Sequence, residues 1–398
     1  MKILMVSSFL PYPLFSGGHI RLYNLIKNLS PEYKVTLVCE KRDYQTEEDI
    51  REVEKICERV IAVGRKKQWS LGNILKTSFS LSSFLITGHA NKDLKFQISN
   101  LIKNEKFDLI HAETSYIMQN IPDTTVPIIM AEHNIEYIVY KRYVDFSPFW
   151  LRPLLNIDIL KLKTQEENFW KKANFLIAVS EEEKKIMQSK NKNVAVVPNG
   201  VDLINFKFQD LNSRFQKKEK TILFIGDFKW LQNKTAAYWI LFKIWPSIKL
   251  KAKSENFKIK LWIVGKNIPE KIKRLGEEDV IFDENAPDET SLIFQKADLL
   301  LAPIKVGGGS SYKILEAMAS GVPVITTALG AHPLGAIDNK EIIVSDDEKK
   351  IADKVIDLLK DREFYSKISL NARKLIEERF DWKIITKRLE NIYKKAGL

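Results

Sequence analysis

The sequence predicts an α/β protein built from two parallel-sheet domains, and three observations carry that prediction. The chain has 398 residues, roughly two to three times a typical single domain. Short apolar runs rich in Ile, Val and Leu alternate with amphipathic stretches, as expected of doubly buried parallel strands joined by crossover helices. The alternation halts at a polar stretch, QDLNSRFQKKEK (209–220), and then starts again.

The first series opens with KILMVSS (2–8) as a buried strand. A helix follows over 19–29, because Ile20, Leu22, Leu25, Ile26 and Leu29 share one face. KVTLVCE (34–40) is the next strand and 46–60 the next helix, followed by strands at 60–64, 108–113, 127–134 and 174–180. The stretch NVAVVPNGVD (193–202) runs into a turn. The second series places strands at 221–226, 260–265, 279–284, 298–304, 322–327 and 341–345. Its helices fall at about 234–251, 288–296, 311–320 and 349–359. Two further helices, 366–380 and 381–396, close the chain. The expected architecture is two Rossmann-like domains, 1–205 and 206–380, with parallel sheets facing across a cleft. Residues 381–398 form a helix expected to cross back to the first domain.

Composition narrows the class. A hydrophobic share of 45% supplies two buried cores and excludes a disordered chain. With only Cys39 and Cys57, a disulfide framework or a Cys-based zinc site is excluded. Apolar runs stay below the roughly 18 to 20 residues that span a bilayer. The start, MKILMVSSFLPYP, lacks a small-residue cleavage site and reads as a first strand, so a cytoplasmic location is expected. The net charge of +12 is spread: residues 1–205 hold 28 Lys and Arg against 24 Asp and Glu. A diffuse positive field suits nucleotides and acidic lipid surfaces. Nucleic acid is not an expected partner, since none of its binding motifs is present. The segment KRYVDFSPFWLRPLL (141–155) interleaves Lys141, Arg142 and Arg152 with Tyr143, Phe146, Phe149 and Trp150, and RKKQW (65–69) is a second basic-aromatic spot. These allow peripheral contact with the inner membrane face.

The residues most able to carry chemistry lie in DLLLAPIKVGGGSSYKILEAMASGVPVI (298–325), which reads as strand, glycine loop and helix. Gly307, Gly308 and Gly309 let backbone approach a ligand closely, and Ser310 and Ser311 stand where the helix starts. Free N–H groups there favour an anion. Lys313 adds positive charge, and Glu316, about one turn beyond, can accept hydrogen bonds from ribose hydroxyls. In the first domain His133 ends the strand PIIMAE, where α/β folds place ligands. Glu113 and Glu132 are strand-end carboxylates that could serve either as nucleophiles or as ordinary buried acceptors. Gly17 and Gly18 form a second glycine loop before a helix, with His19 and Arg21 just beyond as weaker candidates.

The block KILEAMASGVPVITT, preceded by APIKVGGGSS, resembles the donor-site signature of glycosyltransferase family 4, retaining enzymes of the GT-B fold. The resemblance extends to SSFLPYPLFSGGHIRLYNLIKNL, to LIAVSEEEKKIM with VAVVPNGVD, and to TILFIGDFKWLQNKTAAYWI. It implies an acceptor-binding first domain and a second that binds a nucleotide-diphosphate sugar, UDP- or GDP-linked. It further implies sugar transfer to a glycan, lipid-linked or small-molecule acceptor, with retention, by a front-face route. Neither a metal nor a cofactor beyond the co-substrate is implied, and the chain has no Asp-x-Asp. By the same resemblance Glu316 holds the ribose, His133 faces the transferred sugar, and Gly17 and Gly18 lie near the diphosphate. The chain departs from the family pattern at Gly308, where a Glu is usual, and at Asp227, where an Arg binds the diphosphate. Lys313, then Lys229, then Lys234 are the replacements, with Asn233 nearby. Two alternatives stay open: a nucleotide-sugar epimerase-like enzyme, and a non-catalytic nucleotide-sugar or polymer-binding protein.

Overall fold

The computed structural model describes residues 1–145, 147–208, 210–255, 258–287, 289–306 and 311–397. The chain divides into two compact units, one of Met1–Asn199 with Trp382–Leu398, the other of Gly200–Asp381. In the first, β1 (Lys2–Ser7), β2 (Lys34–Lys41), β3 (Arg59–Gly64), β4 (Leu109–Glu113), β5 (Ile128–Ala131), β6 (Phe175–Ala178) and β7 (Val194–Val196) form one sheet. Its order is β3-β2-β1-β4-β5-β6-β7, parallel throughout. In the second, β8 (Glu219–Ile225), β9 (Lys258–Val264), β10 (Val280–Asp283), β11 (Leu299–Ala302), β12 (Val324–Thr326) and β13 (Ile343–Val344) form another. Its order is β10-β9-β8-β11-β12-β13, again parallel. Both units are therefore Rossmann-like α/β domains.

Both faces of each sheet are covered, which is why the strands read as unbroken apolar runs. Along β1, Leu4 and Val6 join one core with Ile98, Ile110 and Trp170, while Met5 joins the opposite core with Leu22 and Leu37. Along β8, Phe224 packs with Trp245 and Ile248, and Leu223 with Phe294 and Met318. In each sheet the strand order reverses beside the first strand, between β1 and β4 and between β8 and β11. Loops leaving the carboxyl ends of strands at such a reversal diverge and leave a crevice for ligands. Among the described residues, no helix is long and apolar enough to cross a membrane.

Two local departures have physical causes, and the last helix joins the first unit. The stretch 209–220, read as a polar connection, contains the helix Leu211–Gln216. Its Arg214 is buried and donates to the carbonyls of Ala297 (2.9 Å), Phe294 (3.3 Å) and Ser320 (3.3 Å). A buried guanidinium replaces the apolar anchor that periodicity looks for, and the units divide at Asn199 and Gly200 rather than between residues 205 and 206. The helix expected over 234–251 is Leu231–Trp239 and Trp245–Ser254, with a π-helical stretch, Ile240–Ile244, between them. Pro246 has no N–H to donate, and the ladder widens just before it, with Trp245 N–H reaching back to Ile240 O. The helix Trp382–Ala396 belongs to the first unit, where Glu390 Oε1 accepts from Ser30 N–H at 2.9 Å and the rings of Tyr33 and Tyr393 lie 5.9 Å apart.

Replacing Arg214 leaves three buried carbonyls without this donor. We predict that Arg214→Ala costs about 2–4 kcal/mol in urea unfolding of the purified protein; a loss below about 0.5 kcal/mol would mean the guanidinium is not an anchor.

Candidate functional site

In the first unit, the carboxyl ends of β4 and β5 meet the start of the helix Gly17–Asn28. Successive residues of a strand point to opposite faces. Ile110 and Ala112 enter one core, and His111 and Glu113 turn to the other face. Glu113 is fully buried. Its Oε1 lies 2.7 Å from His133 Nε2, and its Oε2 lies 2.7 Å from His111 Nε2. Arg21 Nε stands 3.7 Å from the same Oε1. Burial alone would push Glu113 up, but the charge and hydrogen bonds of His133 and His111 hold its carboxyl well below the usual range. It is therefore an ionised acceptor, and both rings donate to it through Nε2–H.

Behind His111, Nδ1 lies 2.7 Å from the hydroxyl of Tyr393. Burial pushes that phenol well above its ordinary range, so it keeps its proton and donates to Nδ1. His133 is the partly exposed end of this chain of contacts, with 16% of its side chain accessible. Its Nδ1 edge faces Gly18: a Cβ there would lie 3.4 Å from Nδ1 and 3.2 Å from Phe9 Cζ. Gly17 and Gly18 open the helix after Ser16, whose Oγ lies 2.6 Å from His19 Nδ1. Burial, then the nearby Arg42 and His133, push His19 down to about 4. Arg21, a weaker ligand candidate by sequence, is buried and donates to the carbonyls of Val197 (2.8 Å) and Pro198 (2.9 Å). It is an internal counter-charge.

The two strand-end carboxylates are thus both engaged. Glu132 is fully buried, accepting from Trp170 Nε1 at 3.0 Å and from Ser115 N–H at 3.2 Å, and burial pushes it up to about 8. The next helix, Glu136–Val144, is capped by Glu166 of a distant helix, whose carboxylate accepts from Glu136 N–H (2.9 Å) and Tyr137 N–H (3.2 Å).

In the second unit, the loops after β8 and β11 flank the strand reversal. Gly308, Gly309 and Ser310, together with Gly307, lie outside the described residues. Ser311 is the N-cap of the helix Tyr312–Ala319, and its hydroxyl makes no capping bond. Lys313, half-buried, donates to Asn233 Oδ1 at 2.7 Å, and its Nζ stands 4.8 Å from the centroid of the Phe224 ring. Burial pushes this ammonium down to about 7, with Glu316 pulling the other way. Glu316 accepts from Thr290 Oγ1 at 3.3 Å. Burial pushes its carboxyl up to about 8, against that hydrogen bond and Lys313. Asn233 is fixed in turn by donating to Asp227 O at 2.7 Å, under Gly226, where a Cβ would lie 2.6 Å from Asn233 Cγ. Only glycine fits there.

Lys313, Asn233 and Glu316 therefore come together, with Thr290 and Phe224 added by the fold. Lys229 is exposed, and its backbone N–H is bound to Asp227 Oδ1 at 2.8 Å. Lys234 is half-buried, one residue beyond Asn233. Asp227 also accepts from Asn267 Nδ2 at 2.9 Å, joining the loops after β8 and β9. Sequence reasoning missed Thr290, and it missed His111 and Tyr393 as partners of Glu113. The alternation His-Ala-Glu on one strand was the readable signal for His111; Tyr393 had none. Among the described residues, no group of three or more His, Cys, Asp or Glu side chains is placed to hold a metal ion.

A glycine-led helix start thus stands at the strand reversal of one Rossmann-like unit, and a half-buried lysine with a buried glutamate at that of the other, a two-domain α/β arrangement. The sequence matches Glycosyltransferase Family 4 over residues 15–204 and Glycosyl transferases group 1 over residues 219–361. The chain belongs to this family and is a glycosyltransferase of the GT-B fold. It is 24% identical over 399 residues to an uncharacterized 44.6 kDa protein in the cps region of Klebsiella pneumoniae, covering 96% of this chain and 97% of that one. It is 30% identical over 154 residues, 35% of this chain and 39% of the other, to the capsular polysaccharide biosynthesis glycosyltransferase CapM of Staphylococcus aureus. In fold it is similar to Anabaena HepE in complex with UDP and glucose, with a TM-score of 0.65, 17% identity, and coverage of 99% of this chain and 100% of that one.

The buried Glu316 gives a stability signature. Its carboxyl titrates at about 8 in the fold and at 4.5 as an ordinary glutamate, so the folded state holds the proton more tightly. That contribution is fully present below pH 4.5 and is lost as pH rises toward 8. Lys313, pushed down to about 7 by burial, contributes the opposite slope from about pH 6 upward, in wild type and variant alike. We predict that between pH 5 and 7 Glu316→Gln gains on wild type by roughly 2–3 kcal/mol. Urea unfolding of both proteins at the two pH values checks this, and parallel behaviour would refute a protonated buried Glu316.

Proposed function

We propose that this glycosyltransferase is a retaining, hexosyl-transferring enzyme that uses a nucleotide-diphosphate sugar, UDP- or GDP-linked, as donor. The observation that carries the reading is the half-buried Lys313 beside the buried Asn233 and Glu316 at the strand reversal of the second unit. Lys313 is assigned to the diphosphate and Glu316 to the ribose hydroxyls. Gly308, Gly309, Ser310 and Ser311 are assigned to the phosphates through backbone N–H groups at the helix start, and Lys229 and Lys234 to outer electrostatic support. The complex of HepE with UDP and glucose supports a sugar-nucleotide donor, and the named role of CapM supports an acceptor in polysaccharide assembly, glycan or lipid-linked. A small-molecule acceptor is the remaining class.

As the donor's bond breaks, negative charge grows on the diphosphate oxygen. An ammonium and helix-start N–H groups aimed there stabilise the transition state more than the ground state. This is the charge a divalent ion would otherwise supply, so the reaction is assigned no resident metal or cofactor. His133, with Gly17 and Gly18 beside it, is assigned to the transferred sugar or acceptor hydroxyl. Glu113 and Glu132 are buried and already hydrogen-bonded, which favours a front-face route over a carboxylate nucleophile. In that route the acceptor oxygen bonds to the anomeric carbon on the face the diphosphate leaves. The electron pair of the broken bond stays on the diphosphate, whose oxygen takes the hydroxyl proton.

Calorimetric titration with UDP, GDP, ADP and their sugar conjugates, with and without chelator, tests the donor. One diphosphate should bind selectively and be indifferent to chelator. Lys313→Ala should weaken UDP or GDP binding about 10- to 100-fold while leaving the nucleoside within about threefold. Equal losses for both ligands would refute a phosphate contact. Glu316→Ala should weaken both nucleoside and nucleotide, and His133→Ala should lower turnover more than donor affinity. NMR of the product's anomeric centre decides retention.

A surface of the first unit supports peripheral membrane contact. Phe149 and Trp150 are 81% and 65% exposed, and Leu154 on the helix Arg152–Lys172 is exposed beside them. That helix holds the neighbouring segment around Leu71–Ser78 through Lys161 Nζ to Thr77 O at 2.8 Å, and there Leu71 and Phe79 are also exposed. Lysines 67, 76 and 141 flank these apolar groups, a pairing suited to an anionic bilayer. The double change Trp150→Ser with Leu154→Ser should abolish co-sedimentation with phosphatidylglycerol vesicles and leave turnover of a water-soluble acceptor unchanged. Unaltered sedimentation would exclude this face.

A further inference from the structure

We infer that Glu113, backed by His111 and Tyr393, is the positioning group that fixes the tautomer of His133, so that His133 meets its ligand as a hydrogen-bond acceptor through Nδ1. The inference rests on the proposed placing of His133 against sugar or acceptor, and it narrows what His133 can touch. A bare Nδ1 recognises a hydroxyl, which donates, and not a phosphate oxygen, which only accepts.

The geometry leaves little choice. The Glu113 carboxylate has both oxygens filled, one by each imidazole, at 2.7 Å. An ionised carboxylate has no proton to give, so each contact needs an N–H from the ring. His133 carries a proton on Nε2, and when the ring is neutral the other nitrogen, on the Gly18 side, keeps its lone pair. The same carboxylate could slip toward one ring if the other were loose. His111 is not loose: Tyr393 holds its far nitrogen at 2.7 Å, and His111, Glu113 and Tyr393 are all buried. Orientation of an imidazole by a buried carboxylate is how other active sites set the nitrogen that meets substrate. Here the carboxylate is itself braced by a second imidazole and a phenol.

The first measurement is long-range nitrogen NMR on protein labelled at its 5 histidines, with assignment by single substitution. His133 should show a protonated Nε2 and a bare Nδ1 at neutral pH; a protonated Nδ1, whether Nε2 is then bare or protonated as well, would overturn the inference. Glu113→Gln offers one acceptor and one donor, and cannot take N–H from both rings. It should mix the His133 tautomers and lower kcat on the order of 100-fold, with donor KM unchanged. If Glu113→Gln keeps a single Nε2–H form and wild-type kcat, Glu113 is only a buried structural charge and the inference fails. Should that variant not fold, Tyr393→Phe carries the same readouts, with kcat expected to fall roughly five- to tenfold at constant donor KM; unchanged kcat there is equally fatal. Normal turnover by His133→Ala would instead sink the assignment of His133 to substrate, whatever the tautomer measurement shows.

Discussion

A carboxylate without contact to water has to find its counter-charges inside the protein, and Glu113 sets that requirement for the first unit. Leaving it unpaired would cost several kcal/mol. The fold answers from four places. His111 comes from the same strand, His133 from the turn after β5, Arg21 from the first helix and Tyr393, through His111, from the last. Arg21 then spends its remaining donors on the carbonyls of Val197 and Pro198, at the end of this unit's first segment. One buried charge thus fixes the approach of a strand, a helix, a turn and both returning pieces of chain. Among these described groups, the His133 ring is the one that is partly exposed.

The second unit shows the complementary arrangement, a pair of ionisable groups that burial keeps away from their usual charges. Lys313 is matched by a neutral partner, the Asn233 oxygen, and Glu316 by a hydroxyl from Thr290. Neither partner restores what water would give a full charge, so the ammonium moves down to about 7 and the carboxyl up to about 8. Such opposed shifts within one helical turn are common at binding sites because a ligand can complete them. A diphosphate beside Lys313 would restore its charge, and ribose hydroxyls would donate to an ionised Glu316.

The strands were legible because parallel strands covered on both faces have to be apolar, and KILMVSS, TILFIG and DLLLAPI carry that demand openly. Lys313, Asn233 and Glu316 were legible through the motif around them. What escaped has one physical character: polar anchoring across long sequence separations. Tyr393 sits 282 positions from His111 and is one tyrosine on an amphipathic helix until the fold delivers it. Glu166 caps a helix 30 positions away. Arg214 stands in a stretch whose hydrophilic composition reads as a connection, although its guanidinium binds three carbonyls in the interior. Periodicity reports the burial of hydrocarbon and is silent about buried charge.

The departures from the family pattern sharpen the part left to Lys313. Asp227 replaces a cation, and its carboxylate is occupied with ordering its own loop, accepting from Lys229 N–H and from Asn267. The Lys229 side chain projects to the exposed side, where water and salt screen it. On the proposed reading, the charge that the usual arginine would place beside the diphosphate comes from Lys313, whose ammonium is already partly dehydrated. Dehydration cuts both ways. It weakens the hold of Lys313 on its proton when the site is empty, and it strengthens the attraction once an anion is there, because little solvent screens the pair. A single lysine in that setting can do the work of two exposed cations, and the price is a binding affinity tied to its protonation.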